Sequence, residues 1–419
     1  MKLSAYFCTP LGLAAGMIFI SAAHASVVDE GQGAGTQSTA VGVNDAGIVI
    51  GDGLSATNKA IAFFDAGMGN ERVLPALADG ACSASAITNT GKTSQILGSC
   101  DDAHGVGQAV RWNSNDWSIS EPAVALAQLG ALGGLLGIGA DVRTVATAQN
   151  DLGEVVGESF SSNGTGRPVF WAAGSTTPTE LGAGLLGLAS TNCIPTSINT
   201  PANPGARAVI VGSCPNDGSN TGKPVPILWT SPTTSVVLSV PADAQYCSAD
   251  EINGEGDVLG SCLYANDVNK TVRWAYPWTS TPIVLESISG IANSHNSGVD
   301  INASGQVACN YSDGNGFNRA CEWDPSTGTD AVDITPLTDG STAEAVAIGN
   351  NGEIVGISET RDGHANGFHS LQGASPVDDA PLPGGSNDGF VAESPSGAYA
   401  VGRSEVAGHG SHAVEASLP

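Results

Sequence analysis

One short phrase recurs eight times along this 419-residue chain, and its period limits what the chain can fold into. Each copy holds an Ala/Val-rich strand, an Asn-x-x-Gly-like turn, and a second strand that usually closes on Val-Gly or Leu-Gly. A polar stretch follows, then a third strand that often ends in Trp. The glycine closing the second strand serves as a ruler. It falls at Gly51, Gly98, Gly157, Gly212, Gly260, Gly356 and Gly402, with Cys309 in that slot in the sixth copy, at intervals of 46 to 59 residues. The two long intervals carry insertions, Gly133 to Asp141 in one, Gly184 to Ser190 with a lengthened turn Asn199 to Gly205 in the other. A unit this short cannot bury an apolar face alone, so the copies must stack on one another.

Asn opens the turns at Asn44, Asn150, Asn253 and Asn302 because its side chain bonds the backbone ahead of it. Gly closes them at Gly47, Gly153, Gly256 and Gly305, where positive φ is needed. Such loops join twisted antiparallel strands. Five of the seven tryptophans (Trp112, Trp171, Trp229, Trp274 and Trp323) end the third strand at one equivalent place, which predicts packing between units rather than five separate sites. A weaker fourth strand follows, as at Glu71 to Leu74, Val236 to Leu238 and Pro282 to Leu285.

Four short antiparallel strands in each such unit predict an all-β, eight-bladed β-propeller. The repeats lie near 39–81, 82–141, 142–192, 193–246, 247–296, 297–342, 343–388 and 389–419. The last unit offers only three strands, while a stray apolar pair, Val27-Val28, precedes the first. The N-terminal segment is therefore expected to supply the missing outer strand and close the ring, leaving only short sheet edges. A seven-bladed ring and an open β-solenoid are the alternatives. A membrane β-barrel fits poorly, because it needs aromatic girdles and this chain is 5% aromatic.

Residues 1–25 read as a signal peptide: Lys2, an apolar run from Leu11 to Ala22, and a small-x-small site at Ala23-His24-Ala25. The remainder, 26–419, is expected to be one propeller domain, secreted to the periplasm or outside the cell, without membrane insertion. Cleavage removes Cys8 and leaves eight cysteines. Three repeats place one Cys six residues before the turn and another two residues after the ruler, pairing Cys82 with Cys100, Cys193 with Cys214, and Cys247 with Cys262. Cys309 and Cys321 remain for a local bridge in the sixth unit. No CxxC pair is present, and export favours oxidation over metal binding.

The formal charge of −27 opposes phosphate backbones and anionic membranes, so nucleic-acid binding is not expected. Neither Asp313-Gly314-Asn315-Gly316 nor Asn216-Asp217-Gly218 carries the ligand series of a calcium loop. No cofactor or metal is expected, and the chain reads as a monomer.

Several pieces recur in a fixed order: Leu129-Gly130-Ala131-Leu132-Gly133-Gly134, Ser248-Ala249-Asp250-Glu251-Ile252-Asn253, Ile354-Val355-Gly356 and His412-Ala413-Val414. In this order the chain resembles the bacterial extracellular HAF repeat family across nearly all of its length after residue 25. The His-Ala-Phe strand is degenerate in most copies, with Ala60-Ile61-Ala62-Phe63 and Asn366-Gly367-Phe368 the nearest others. The resemblance implies a secreted or surface repeat protein and carries over no active site.

Candidate chemistry is sparse. His364, His369, His409 and His412 are expected between the second and third strands of the last two blades, with His104 in the matching loop of the second. These connections should emerge on one face, where a metal or acid–base site is conceivable. Phe160, Tyr264 and Tyr311 are expected on the same connections, where exposed rings stack on sugars or anchor partners. Nothing in the sequence marks a catalytic residue, since no G-x-S-x-G motif occurs and Asp101-Asp102 and Asp378-Asp379 read as loop acids. The leading expectation is a secreted binding module for an unknown protein or glycan. An exported glycan lyase or hydrolase built from several blades is the alternative.

Overall fold

The computed structural model describes residues 26–31, 35–67, 71–91, 94–113, 122–130, 140–182, 191–203, 206–216, 222–292, 295–371, 374–408 and 410–419. The strands form eight antiparallel sheets packed in sequence around one axis: an eight-bladed β-propeller. The inner strands are Gly35–Val43, Cys82–Ile87, Arg143–Gln149, Ile194–Ile198, Tyr246–Ile252, Asn296–Ile301, Ala343–Ile348 and Asp388–Glu393. The expected closure is present. Ser26–Gly31 pairs with Gly410–Ser417 as the outer strand of blade 8, so both chain ends share one sheet. Blade 6 departs from the four-stranded expectation. A hairpin, Ser287–Ile288 and Ile291–Ala292, pairs parallel with the outer strand Asp330–Ile334 and widens that sheet to six strands.

The ruler glycine has a steric cause that composition does not display. Every inner strand carries a register shift, centred on Val41, Ser85, Thr147, Thr196, Asp250, Val299, Val346 and Val391. A bulge increases local twist and pushes one carbonyl toward the partner strand. At Gly157 a Cβ would come 2.0 Å from the Val145 carbonyl oxygen, and at Gly260 it would meet both the Ser248 carbonyl at 2.2 Å and the Trp274 ring at 2.7 Å. No side chain fits at these two positions; in blade 6 the slot takes Cys309, and the glycine stands opposite it on the inner strand at Gly298.

Tryptophan packs between units, as expected. Trp112, Trp171, Trp229 and Trp274 are fully buried, and each indole donates to a carbonyl of the preceding blade's exit: Pro75, Ala127, Gly182 and Ser239. Trp323 bonds within its own blade, to Gly328. Each Trp thus buries a large ring and satisfies its one donor, four of the five at a blade junction.

The turn-opening asparagines also hold the junctions. In each, Oδ1 accepts backbone N–H groups of its own turn, which leaves Nδ2 for the next blade. Asn150 donates to the Asn199 carbonyl at 3.0 Å, Asn199 to Asn253 at 3.3 Å, Asn253 to Asn302 at 2.8 Å and Asn302 to Gly349 at 3.1 Å. Asn44 likewise donates to Thr88. Where blades 2 and 3 meet, Gln95 and Gln149 take over the task. At the seam between blades 8 and 1, the Ser396 amide donates to Asp45.

All four expected disulfides are present: Cys82–Cys100, Cys193–Cys214, Cys247–Cys262 and Cys309–Cys321. The position two residues past the ruler is buried throughout blades 2 to 8, and two chemistries fill most of it. In blades 2, 4 and 5 it is a bridged Cys. In blades 3, 7 and 8 it is Ser159, Ser358 or Ser404, whose hydroxyl accepts the amide of Leu129, Leu337 or Leu382 in the preceding connection. Four bridges fit an oxidising, non-cytoplasmic compartment. Among the described residues no helix is long and apolar enough to cross a membrane.

Candidate functional site

The bulged inner strands of blades 3 to 8 line an open cavity of about 460 Å³ at the centre of the ring, and acids concentrate on one side of it. Asp250 occupies the bulge of blade 5, where other blades place Val, Ser or Thr. Glu251 and Asp300 follow the bulges of blades 5 and 6, and Glu393 ends the inner strand of blade 8. Burial raises the pKa of all four, that of Glu393 to about 10. Glu251 hydrogen-bonds Asp300 across the blade junction. Asp300 also accepts the amides of Ile301 at 2.7 Å and Ile348 at 2.8 Å, so it ties blade 6 to blade 7. A carboxyl pair in contact retains a proton. Among the described residues no Lys, Arg, His or Tyr lines the cavity.

The second feature repeats. On the face carrying the second-to-third-strand turns, clefts open between adjacent blades at three junctions. The largest, about 920 Å³ between blades 7 and 8, reaches Thr39 at the channel mouth. A cleft of about 430 Å³ separates blades 6 and 7, and one of about 320 Å³ separates blades 3 and 4. Each is walled by a turn glycine (Gly408, Gly363 or Gly164), a second strand beyond its ruler, and the start of the later blade, the glycine belonging to the later blade in the first two clefts and to the earlier blade in the third. Arg403 is the one basic side chain lining any of them; it is exposed and forms no ion pair among the described residues. Asp388, 6% exposed, accepts the Gly367 amide at 3.1 Å through one oxygen, while the other is buried without a partner. Burial lifts its pKa to about 7. Burial likewise lifts Glu158, in the cleft between blades 3 and 4, to about 7.

Against the sequence reading, the structure separates the named residues. Phe160 lines the cleft between blades 3 and 4, with the Arg143 guanidinium 3.9 Å from its ring centroid. His364 is exposed between Gly363 and Ala365, both cleft residues. His104 is exposed on the matching turn of blade 2, near Asp102. His409 lies outside the described residues. Tyr264 and Tyr311 are not surface rings. They are 7% and 5% exposed, because strand alternation turns them to the same side as the bridged cysteines. Tyr311 donates to Asp333 at 2.9 Å, and Tyr264 packs under Lys270. His369 and His412 are not in the loops either. Both sit on third strands, Ala365–Leu371 and Gly410–Ser417. His369 is 2% exposed and bonded to Asp379 at 2.7 Å, and His412 meets Asp29 of the closing strand at 2.9 Å. The face therefore carries His104, Phe160 and His364 on separate blades, 2, 3 and 7, and it removes Tyr264, Tyr311, His369 and His412.

Among the described residues no group of three His, Cys, Asp or Glu side chains is arranged to hold a metal ion. The Asp313 turn is an Asx turn, its carboxylate accepting the amides of Asn315 and Phe317. Sequence reasoning missed Glu251, Asp300, Glu393 and Arg403 because each reads as an ordinary polar residue of a strand. Their meeting depends on blade order.

No known protein family's sequence profile matches the chain, and no curated protein matches it. Solved structures similar to it are distant in sequence. One is the β-propeller domain of the Trilobed protease from Pyrococcus furiosus, at 10% identity over 86% of this chain and 99% of that one, with a TM-score of 0.49. A second is a puromycin-hydrolysing peptidase of Mycobacterium tuberculosis, at 13% identity, 85% and 55% coverage and a TM-score of 0.49. This chain thus spans about half the length of that peptidase. A third is a lectin from Burkholderia pseudomallei, at 10% identity, 83% and 99% coverage and a TM-score of 0.41. The blade count rests on this chain's own strand pairing.

Proposed function

We propose that this protein is an exported binding module that meets a protein or glycan ligand in the clefts between its blades. The supporting observation is recurrence: one wall plan opens a cleft at three junctions on one face. Repeated equivalent sites on a rigid ring suit multivalent recognition, in which modest single affinities multiply. The leader at residues 1–25 and the HAF-like repeat are read as the marks of an exported surface protein. The test is a screen of the protein against glycan and peptide arrays, with Arg403→Ala and Phe160→Ala alongside. Binding without turnover, weakened by either substitution at unchanged thermal stability, is the expected result. Binding indifferent to both would remove the clefts from the account.

One observation favours a second reading, a hydrolase acting in the channel: two hydrogen-bonded carboxyls with raised pKa values line a cavity. Both, however, are engaged across blade junctions. Turnover of a glycan by the wild type, lost in Glu251→Gln, would establish the enzyme and displace the binding module.

A further inference from the structure

The most exposed large apolar side chain of the described residues lies on the other face of the ring. Tyr276 is 63% exposed in the turn after the third strand of blade 5, Asn269–Trp274. Its placement is over-determined. The Tyr276 amide donates to Asp257 Oδ1 at 3.0 Å, and the other Asp257 oxygen holds Arg273. The Trp278 indole donates to the Gly256 carbonyl at 2.8 Å, and the Trp278 amide to Ala275 at 2.8 Å. The two rings meet edge to face, centroids 5.0 Å apart and planes at 89°. Trp278 takes φ +64°, a conformation that bulky residues rarely adopt and that persists only where the surroundings impose it. The Tyr276 ring also lies over Gly256, where an added Cβ would come 3.3 Å from its Cδ2. Gly256 and Trp278 cover one part of Tyr276, and most of the residue stays open to solvent.

Size and charge select the occupant. A stable protein interface buries roughly 800 Å² per partner, far more than one ring supplies. The neighbouring Thr279, Ser280 and Thr281 are exposed and polar. Glu255, beside Gly256 in the adjacent turn, is exposed, and the chain carries a formal charge of −27. Carboxylates accept hydroxyl hydrogen bonds and repel phosphate, sulfate and uronate. A pyranose ring matches an isolated aromatic face, offering C–H groups to the ring and hydroxyls to its acidic rim.

We infer that Tyr276, braced edge-on by Trp278, is a stacking platform for a neutral saccharide, separate from the clefts on the opposite face. The experiment is calorimetric titration of the full protein with cellohexaose, mannohexaose and chitohexaose. At least one is expected to bind the wild type. Tyr276→Ala then weakens that binding by at least about tenfold at an unchanged unfolding temperature, while Tyr276→Phe, which keeps the ring, stays within about threefold. His104→Ala, on the opposite face and outside the clefts, leaves this affinity unchanged, and Phe160→Ala is measured alongside to score the clefts. The inference is overturned if none of the three sugars binds, if Tyr276→Ala binds as the wild type does, or if His104→Ala removes binding as effectively. A loss confined to Phe160→Ala would support the clefts while removing this platform.

Discussion

Replacing Asn253 by Ala should cost the ring far more than an ordinary surface substitution. Asn253 is 7% exposed and makes three hydrogen bonds to main chain. Oδ1 accepts the amides of Glu255 at 3.1 Å and Asp257 at 2.9 Å, and Nδ2 donates to the Asn302 carbonyl of blade 6 at 2.8 Å. Alanine strands all three backbone groups where water has little access. At about 1 kcal/mol for each lost bond, with more for a group left unpaired, the loss should be about 3 kcal/mol. Asn253→Asp separates the two roles. It keeps both acceptor bonds of the turn, loses the donor, and sets a carboxylate against a carbonyl, for a loss of about 2 kcal/mol. The assay is urea unfolding followed by the fluorescence of the buried tryptophans. A loss under about 0.5 kcal/mol in Asn253→Ala, within the range of ordinary surface changes, would refute the clip. If the Asp variant matches the wild type, the turn alone accounts for the asparagine and the inter-blade bond contributes nothing.

Other consequences follow from the same geometry. Cys247 and Cys262 close a loop with a separation of 15 residues; replacing both with Ala should cost about 3 kcal/mol in the chain-entropy description, read as a lower unfolding temperature. Deleting residues 26–31 exposes the edge of Gly410–Ser417, and light scattering should detect self-association that the intact ring does not show. Stability should fall as pH rises. Burial raises Asp52 to about 6 and Glu322, Asp388 and Glu415 to about 7. Because the folded state holds these protons more tightly than the unfolded chain does, their contribution is full below about pH 4 and declines as pH rises to about 7. The unfolding temperature at pH 5 should therefore exceed that at pH 8, and Asp388→Asn should reduce the difference; a rise in stability toward pH 8 would contradict the burial of these groups.

What the sequence disclosed was whatever the repeat itself encodes. Phase placed the third-strand tryptophans at junctions, opposed Cys247 to Cys262, and left blade 8 short of the strand that Val27 and Val28 supply. Alternation would also have shown that Tyr311 points inward, since it shares the slot of Cys262 and Ser159. Three features were not legible. The bulge leaves no mark of its own, so Gly157 and Gly260 look like turn residues rather than positions crowded by a carbonyl. The second role of asparagine needs the next blade, because Nδ2 of Asn253 reaches a residue 49 positions away. The acids of the channel converge only once the ring is closed: Glu251 and Glu393 are far apart in sequence and belong to blades 5 and 8. Tyr276 was hidden for a different reason, since exposure of a ring depends on which neighbours a turn provides.

Ring closure can be tested by joining the two ends. Val28 and Glu415 face each other across the seam pairing, so the double variant Val28→Cys, Glu415→Cys should oxidise rapidly within one molecule. Peptide mapping under non-reducing conditions should then find the two substituted peptides linked to each other with the four native bridges intact, and the variant should unfold at a higher temperature when oxidised. An open stack of the same sheets would hold these positions far apart; recovery of only reduced or intermolecularly linked chains would contradict the closed propeller.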